Sequence, residues 1–268
     1  MPVFGDRYRG VAVIASGGFA TVYRAEDESE AGREVAVKVL HREENTIAEL
    51  ARKQLEREVE SLRRISHPGV VGVLDFSIGG ERGAYLVLDY VPGPTLREVL
   101  RKGALPSERV AVLARQLGAA LGAAHEAGVI HRDLKPENII LRPEGDGERA
   151  VIVDFGIAVC KPPGQTSAQT SNVGGTLYYL APEQLAGVAR SSADIYSFAV
   201  ILCEALTGEC PAISEEEGLE GRARVAEGLM RSIGDEARAL ICTAMSYDAS
   251  ERPREAAAFG DAVARLLI

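Results

Sequence analysis

His131-Arg132-Asp133-Leu134-Lys135-Pro136-Glu137-Asn138 is the stretch that decides the fold. It places a carboxylate, cations and an amide between a segment patterned as a helix and one patterned as a strand. Sixteen residues after Asn138, an apolar run ends in Asp154-Phe155-Gly156. A carboxylate at the end of a buried strand, followed by glycine, is suited to holding a cation against a phosphate. The pattern therefore favours metal-assisted chemistry on phosphate.

These two stretches resemble the catalytic loop and metal-binding turn of eukaryotic-type (Hanks-type) serine/threonine protein kinases, in the bacterial branch. Taken singly, each could be a solvated charged loop or a strand-ending aspartate, but their order and spacing disfavour those interpretations. The resemblance covers about residues 8–267 and implies one kinase domain over 1–268 with an α+β, bilobal protein-kinase fold. It implies a five-stranded antiparallel sheet with one main helix in 1–88, a hinge at 89–93, and a larger, mainly helical lobe in 94–268.

Composition and charge narrow the class of protein. The chain has 268 residues, of which 46% are apolar and 26% charged, as in soluble globular proteins. Its net charge of −9 argues against nucleic acid as a partner, because no excess of cations replaces phosphate counterions. The four cysteines show no metal-ligand spacing and are expected to be reduced thiols. With no signal peptide or membrane span, we expect a cytoplasmic protein, or the cytoplasmic domain of a longer membrane-anchored one.

The N-terminal part predicts strands at 8–14, 20–25 and 34–40. The first turn resembles the kinase glycine-rich loop, with Ala15 and Ala20 at the first and third glycine positions and only the middle glycine, Gly17, kept. Glycine there lets the backbone approach phosphates, although a plain hairpin is the simpler interpretation of the turn alone. The resemblance assigns nucleotide binding to these residues: Ala15, Ser16, Gly17, Gly18, Val22, Ala36, Lys38, Leu88, Asp89, Val91 and Ile140.

Lys38 lies in the apolar strand 34–40, where a cation either points to solvent or has an anionic partner. Residues 44–65 show helical periodicity, and Glu58 shares the apolar face of that helix. Glu58 is therefore the candidate partner of Lys38. An ordinary surface charge on a helix rich in Arg and Glu is the alternative.

Further elements follow in order along the chain. Strands are predicted at about 70–77 and 84–89, and Ser107 is the predicted N-cap of a helix that runs to Ala127 and ends at Gly128. A strand pair is predicted at 139–141 and 150–153. The apolar run 195–206 predicts a buried helix, and 254–267 predicts an amphipathic one.

The resemblance also implies roles in phosphoryl transfer from ATP. Asp133 accepts the proton of the substrate hydroxyl, Lys135 neutralises the γ-phosphate, and Asn138 and Asp154 hold Mg²⁺. Lys38, Glu58 and Thr176 complete the catalytic set, with Thr176 expected to hydrogen-bond Asp133 and Lys135.

Residues 161–175 lack an apolar period and are predicted to form an activation loop. Thr170 is the first candidate for phosphorylation there, followed by Ser171, Thr166 and Ser167. Arg132 is the cation expected to receive the phosphate. The alternative is that these are only solvated hydroxyls.

Structural roles are implied as well. Glu183, in the predicted peptide-seating segment 176–183, is expected to form a buried ion pair with Arg252, and Asp194 to face the underside of the catalytic loop. The match to the family pattern is weakest between 209 and 235.

Three functions are compared, and the first is favoured because Lys38, Glu58, Asp133, Asn138 and Asp154 are all present. The first is a serine/threonine protein kinase that uses ATP and Mg²⁺, acts on protein Ser/Thr hydroxyls, and associates transiently with itself for autophosphorylation. The second is a nucleotide-binding pseudokinase scaffold, favoured by Ala15 and Ala20. The third, a small-molecule kinase, is disfavoured by Thr176 and the Ala181-Pro182-Glu183 motif.

Overall fold

The structure, a computed structural model, describes residues 2–17, 20–30, 32–40, 56, 59–77, 84–155, 176–188, 190–212 and 218–268, with only the backbone of 176 and 177. The described residues form two compact units. The first contains those within 1–66 and 71–91, and the second those within 67–70, 92–155 and 176–268.

The first unit is built on one antiparallel sheet. Its strands are β1 (Val3–Phe4), β2 (Tyr8–Ser16), β3 (Ala20–Asp27), β4 (Arg33–Leu40), β5 (Val73–Ser77) and β6 (Tyr85–Asp89), in the order β1-β2-β3-β4-β6-β5. The sheet has six strands where the sequence predicts five, because Val3 and Phe4 pair with Arg9 and Tyr8. Residues 59–63 are helical.

Aromatic side chains fix the added strand to the core of this unit. Phe4 and Tyr8 are buried with Val35, Val37 and Val87. The Phe4 ring lies with its centroid 5.3 Å from that of Tyr23 and 5.9 Å from that of Tyr85. Phe4 of β1 is therefore part of the packed core of the sheet.

The second unit is mainly helical. It contains α1 (Leu96–Leu100), α2 (Ser107–Glu126), α3 (Pro182–Leu185), α4 (Ser191–Thr207), α5 (Arg222–Leu229), α6 (Asp235–Ala244) and α7 (Ala256–Leu267). A hairpin of β7 (Ile139–Glu144) and β8 (Gly147–Ile152) lies among them. None of the helices in the described ranges is long and apolar enough to cross a membrane. The α+β fold predicted from the sequence is confirmed, with a sheet in one unit and helices in the other.

α4 is the central helix of this unit, and every residue from 193 to 206 is buried. The prediction of a buried helix over 195–206 is therefore confirmed. Around it, α2 and α7 approach closely at two glycines. A Cβ on Gly118 would lie 2.7 Å from the carbonyl oxygen of Ala256, so only glycine fits there.

Some predicted boundaries were wrong. Ser107 is the first residue of α2, and Pro106 occupies the N-cap position. The proline side chain has no hydrogen-bond donor or acceptor, so it makes no cap bond. Proline tolerates this position because the first N–H groups of a helix have no intrahelical partner. The far end agrees with the prediction, since Gly128 has φ of +77°. β5 starts at Val73 instead of 70, and α7 starts at Ala256 instead of 254.

Candidate active site

The catalytic-loop motif brings a carboxylate, an ammonium and an amide together. Lys135 Nζ lies 3.1 Å from Oδ2 and 3.3 Å from Oδ1 of Asp133. Asn138 Nδ2 donates to the carbonyl oxygen of Asp133 at 2.8 Å. A short 3₁₀ helix over Pro136–Asn138 turns the chain so that these contacts form. Asp133, Lys135 and Asn138 are thus held in one compact cluster.

Asp194, in the first turn of α4, supports this loop from below. Its Oδ2 accepts the backbone N–H of His131 at 2.8 Å, and its Oδ1 accepts that of Arg132 at 2.9 Å. His125 Nε2 lies 2.8 Å from Oδ2 as well. Arg132 adopts φ of +66°, a left-handed conformation that costs free energy for a non-glycine residue. The two bonds from Asp194 hold the backbone in that conformation.

Asp154 follows β8 and has left-handed backbone too, with φ of +59°. The chain before it is anchored to the catalytic loop, because Val153 N–H donates to the carbonyl oxygen of Asn138 at 2.9 Å. The rings of His131 and Phe155 lie 4.8 Å apart between centroids. Asn138 and Asp154 therefore belong to two segments that are hydrogen-bonded to each other.

The side-chain oxygens of Asn138 and Asp154 fit Mg²⁺ as ligands. Carboxylate and amide oxygens are the hard ligands that Mg²⁺ prefers, and one or two carboxylates are the usual protein contribution. Asn138 Nδ2 donates to the carbonyl oxygen of Asp133, which fixes the amide, so Oδ1 is the atom that could bind a metal. Asn138 itself is buried.

Most of the predicted nucleotide residues that the structure describes in the first unit lie on the sheet, whereas Gly17 and Val91 lie just outside its strands. Lys38 in β4 stands opposite Val22 of β3 and Leu86 of β6. Glu58 lies outside the described residues, so its pairing with Lys38 stays a prediction. Gly17 N–H donates to the carbonyl oxygen of Ala20 at 2.9 Å. A Cβ on Gly17 would meet no atom of the described residues within 4 Å, so their packing does not require glycine there.

The other residues assigned to nucleotide are placed as follows. Leu88 and Val91 are buried, and Ala36 stands opposite Leu88 in the sheet. The Asp89 carboxylate accepts a hydrogen bond from the Arg33 guanidinium at 3.2 Å. Ala15 and Ser16 end β2, and Ile140 lies in β7 of the second unit. Gly18 is outside the described residues.

The ion pair predicted between Glu183 and Arg252 is present. Arg252 donates from Nη1 and Nη2 to the two carboxylate oxygens of Glu183, at 2.7 and 2.9 Å. Its side chain is fully buried and also donates to backbone carbonyl oxygens, including those of Ser246 and Ser192. This bidentate pair ties α3 to the loop that precedes α7.

A second polar network was missed at the sequence level. Arg97 of α1 donates to Glu137 at 2.7 Å, to Glu204 at 2.6 Å and to the Tyr179 hydroxyl at 2.5 Å. Tyr179 also donates to Glu204, and burial raises the pKa of its phenol far above the usual value. The network joins the catalytic-loop residue Glu137 to the 3₁₀ helix Thr176–Tyr179. The available signal was Glu204, an isolated acid within the apolar run 195–206.

Gln184 was missed as well. Its side chain donates to the carbonyl oxygen of Arg132 at 2.8 Å and accepts the backbone N–H of Ala181 at 2.9 Å. The side chain of Thr176 and all four candidate phosphorylation residues lie outside the described residues: Thr166, Ser167, Thr170 and Ser171. Their roles, and that of Arg132 as a phosphate receptor, stay predictions.

Comparison with known proteins places this geometry in a family. The model of the family described as "Protein kinase domain" matches residues 8–261. Serine/threonine-protein kinase pkn2 of Myxococcus xanthus is 37% identical over 275 residues, covering 98% of this chain and 32% of the relative. Serine/threonine-protein kinase PknA of Mycobacterium tuberculosis is 36% identical over 267 residues, covering 96% of this chain and 61% of the relative.

Among solved structures, that of Rad53 1–466 in complex with AMP-PNP is similar to this chain. It has a TM-score of 0.75 and 26% identity, and the match covers 98% of this chain and 66% of that one. The chain thus spans about a third of the length of pkn2 and less than two thirds of PknA. Because the family match extends over nearly all of its residues, the chain belongs to the protein kinase domain family.

Proposed function

We propose that the chain is a serine/threonine protein kinase of the bacterial Hanks type, which transfers the γ-phosphate of Mg-ATP to Ser/Thr hydroxyls of proteins. The observation that carries this proposal is the cluster of Asp133, Lys135 and Asn138 on a loop held by Asp194. The names of pkn2 and PknA, both serine/threonine-protein kinases, support it.

The residues of the cluster suit the transfer step. A substrate hydroxyl attacks the γ-phosphorus, its proton passes to Asp133, and the bond from phosphorus to the β-γ bridging oxygen breaks to release ADP. Lys135, 3.1 Å from Asp133, can turn from that carboxylate toward the phosphoryl oxygens and balance their charge. Catalysis then depends mainly on positioning, for which the hydrogen-bonded loop is suited.

Asn138 and Asp154 would hold the magnesium ion, which when bound supplies positive charge between the β- and γ-phosphates. In the first unit, Lys38 would bind the α- and β-phosphates with Glu58 as its partner. The backbone at Gly17 would contact the phosphates, while Leu88, Asp89 and Val91 would line the adenine side. Thr176 would bridge to Asp133 and Lys135, as in kinases directed to Ser and Thr.

Regulation follows from the same proposal. The segment 161–175 carries the proposed phosphate acceptors, with Thr170 first, and modification between two copies requires transient self-association.

Mg-ATP is available in the cytoplasm, so we place the domain there, free or as part of a longer membrane-anchored protein. Nucleic acid is not proposed as a partner, given the net charge of −9.

The second candidate is a nucleotide-binding scaffold with negligible turnover, which Ala15 and Ala20 in the phosphate loop favour. To separate the two, γ-³²P-labelled ATP and Mg²⁺ are incubated with the protein and a generic basic protein, followed by phosphoamino-acid analysis. A serine/threonine kinase should place the label on phosphoserine and phosphothreonine. Nucleotide binding without label on any acceptor would favour the scaffold, and label on tyrosine alone would contradict the assigned specificity.

A further inference from the structure

Arg97 of α1 is held by three acceptors that have no part in the proposed transfer step. Its Nε donates to Glu137 at 2.7 Å, its Nη1 to Glu204 at 2.6 Å, and its Nη2 to the Tyr179 hydroxyl at 2.5 Å. The second carboxylate oxygen of Glu204 accepts from that same hydroxyl. Two carboxylates and a phenol oxygen thus surround one planar guanidinium, and a rigid fork of N–H donors is the group that suits such a set of acceptors.

This cluster lies against both segments that are proposed to hold the acceptor. Glu137 belongs to the catalytic loop and directly precedes Asn138, the proposed metal ligand. Tyr179 ends the 3₁₀ helix Thr176–Tyr179, in the segment proposed to seat the peptide. The acceptor hydroxyl has to reach Asp133, four residues before Glu137. We therefore expect the residues beside that hydroxyl to pass close to the cluster.

Arg97 separates the buried carboxylate of the cluster from solvent. The side chains of Arg97 and Glu137 are 20% and 45% exposed, whereas that of Glu204 is only 7% exposed. Arg97 is bonded to both acids, so it neutralises Glu204 and keeps other cations away from it. The charge that remains is carried by the exposed Glu137, and an exposed charge attracts a cation only weakly.

On the basis of the proposed kinase activity, we infer that Arg97 is a specificity-determining residue. It fills, from within the protein, an acidic site that would otherwise bind an arginine of the acceptor. The kinase therefore gains little from an arginine beside the serine or threonine that it modifies. Without the Arg97 side chain, the oxygens of Glu137, Glu204 and Tyr179 lose their common donor. An acceptor arginine can then replace it, whereas lysine, a point charge on a flexible stem, suits the three oxygens less well.

The test measures kcat/KM for peptides in which one arginine is moved along both sides of a single serine, each compared with the same peptide carrying alanine there. In the wild type, the ratio of the two values should stay within about threefold of one at every position. In Arg97→Ala it should rise by about tenfold or more at the position whose side chain reaches the site, because charge-assisted hydrogen bonds are regained. Lysine at that position should gain less.

Arg101→Ala is the matched control, because Arg101 is an exposed arginine at the end of α1. It should keep the wild-type ratios. A purely structural role for Arg97 would lower the rate with all peptides alike, so a gain confined to arginine peptides separates the two roles. Absence of that gain in a folded Arg97→Ala would overturn the proposal, as would a wild type that already prefers arginine by about tenfold.

A second measurement needs no turnover and covers the case in which Arg97→Ala is unstable. Methylguanidinium chloride is added to Arg97→Ala and to the wild type, with equal sodium chloride as the reference, and the midpoint of thermal unfolding is recorded. The variant should gain about 2 °C as its site fills, and the wild type, whose site is occupied, should gain nothing. Equal responses would overturn the proposal. A wild type that labels no acceptor would contradict the proposed kinase activity, and the methylguanidinium response would then decide whether the guanidinium site exists.

Discussion

At the scale of residues, backbone strain is concentrated at the candidate site. Among the described residues, three that are not glycine have positive φ: Asp6, Arg132 and Asp154. Two of these belong to the catalytic loop and to the turn after β8. Such conformations cost about 1–3 kcal/mol each and persist only where the surroundings impose them. Asp194 imposes the conformation of Arg132, because its carboxylate accepts the backbone N–H groups of His131 and Arg132.

Asn138 gives the sharpest residue-level prediction about the metal. Asn138→Ala removes both the proposed ligand oxygen and the donor to Asp133, so the Mg²⁺ concentration for half-maximal transfer should rise by about 10–100-fold. The measurement is the initial rate of phosphate transfer as a function of Mg²⁺ concentration at saturating ATP. Asn138→Asp, which keeps an oxygen ligand but loses the donor, should retain more metal affinity than Asn138→Ala. An unchanged Mg²⁺ requirement in both variants would remove Asn138 from the metal site.

Asp27 predicts an acid-dependent loss of stability in the first unit. Its carboxylate accepts two bonds from Arg7, at 2.8 and 2.6 Å, and two from Ser29, and these hold its pKa well below the usual range. Because the folded-state pKa is lowered, the stabilisation is present above the unfolded-state pKa of about 4 and is lost as the pH falls below it.

The check on Asp27 is urea unfolding of the wild type and of Asp27→Asn from pH 3 to 7. The variant should be less stable by about 1–3 kcal/mol at pH 7 and should lose less stability on acidification. If the free energy of unfolding changed with pH in the same way for both proteins, Asp27 would not be the titrating group.

At the scale of elements, long periodic segments were predictable and short or cap-dependent ones were not. The apolar run 195–206 specified α4, because a helix that is apolar on all sides must be buried. β1 could not be predicted, since two residues carry no period, and its pairing depends on Phe4 packing against Tyr23 and Tyr85. Ser107 was mistaken for a cap because a helix may also begin after proline.

The start of α4 offers a stabilising substitution. Its N-cap, Arg190, has extended backbone and makes no side-chain cap hydrogen bond, and a cation there opposes the helix dipole. Arg190→Asp should therefore stabilise the protein by about 0.5–2 kcal/mol, measured by urea unfolding. Arg190→Ala, which removes the charge but supplies no cap, should gain less. A loss of stability in the Asp variant would show that Arg190 has a favourable contact of its own.

The Glu183–Arg252 pair should behave as a coupled unit between elements. Arg252→Met alone leaves Glu183 unpaired and should cost about 3–5 kcal/mol, and Glu183→Gln should be costly for the same reason. The double variant should lose clearly less than the sum of the two single losses. If the loss in the double variant equalled the sum of the two single losses, the two side chains would not stabilise each other.

At the scale of the whole molecule, the sequence motifs indicated the residues of the candidate site but not the contacts that hold them together. Asp133, Lys135 and Asn138 are neighbours in sequence, so their cluster was predictable. The network of Arg97, Glu137, Tyr179 and Glu204 joins residues up to 107 positions apart, and no local period encodes such a set. α4 supplies Asp194 and Glu204 from one buried helix, which explains why polar residues interrupt an apolar run.

The measurement that tests the central claim most directly is intact-protein mass spectrometry after incubation with Mg-ATP. The wild type is expected to gain phosphate groups of about 80 Da each, mapping by peptide analysis to Thr170 or the neighbouring hydroxyls in 161–175. Asp133→Asn should gain none while still binding nucleotide, because it lacks only the base. Full phosphorylation of the Asp133→Asn variant would contradict the account, as would a dephosphorylated wild type that gains no mass and labels no added protein.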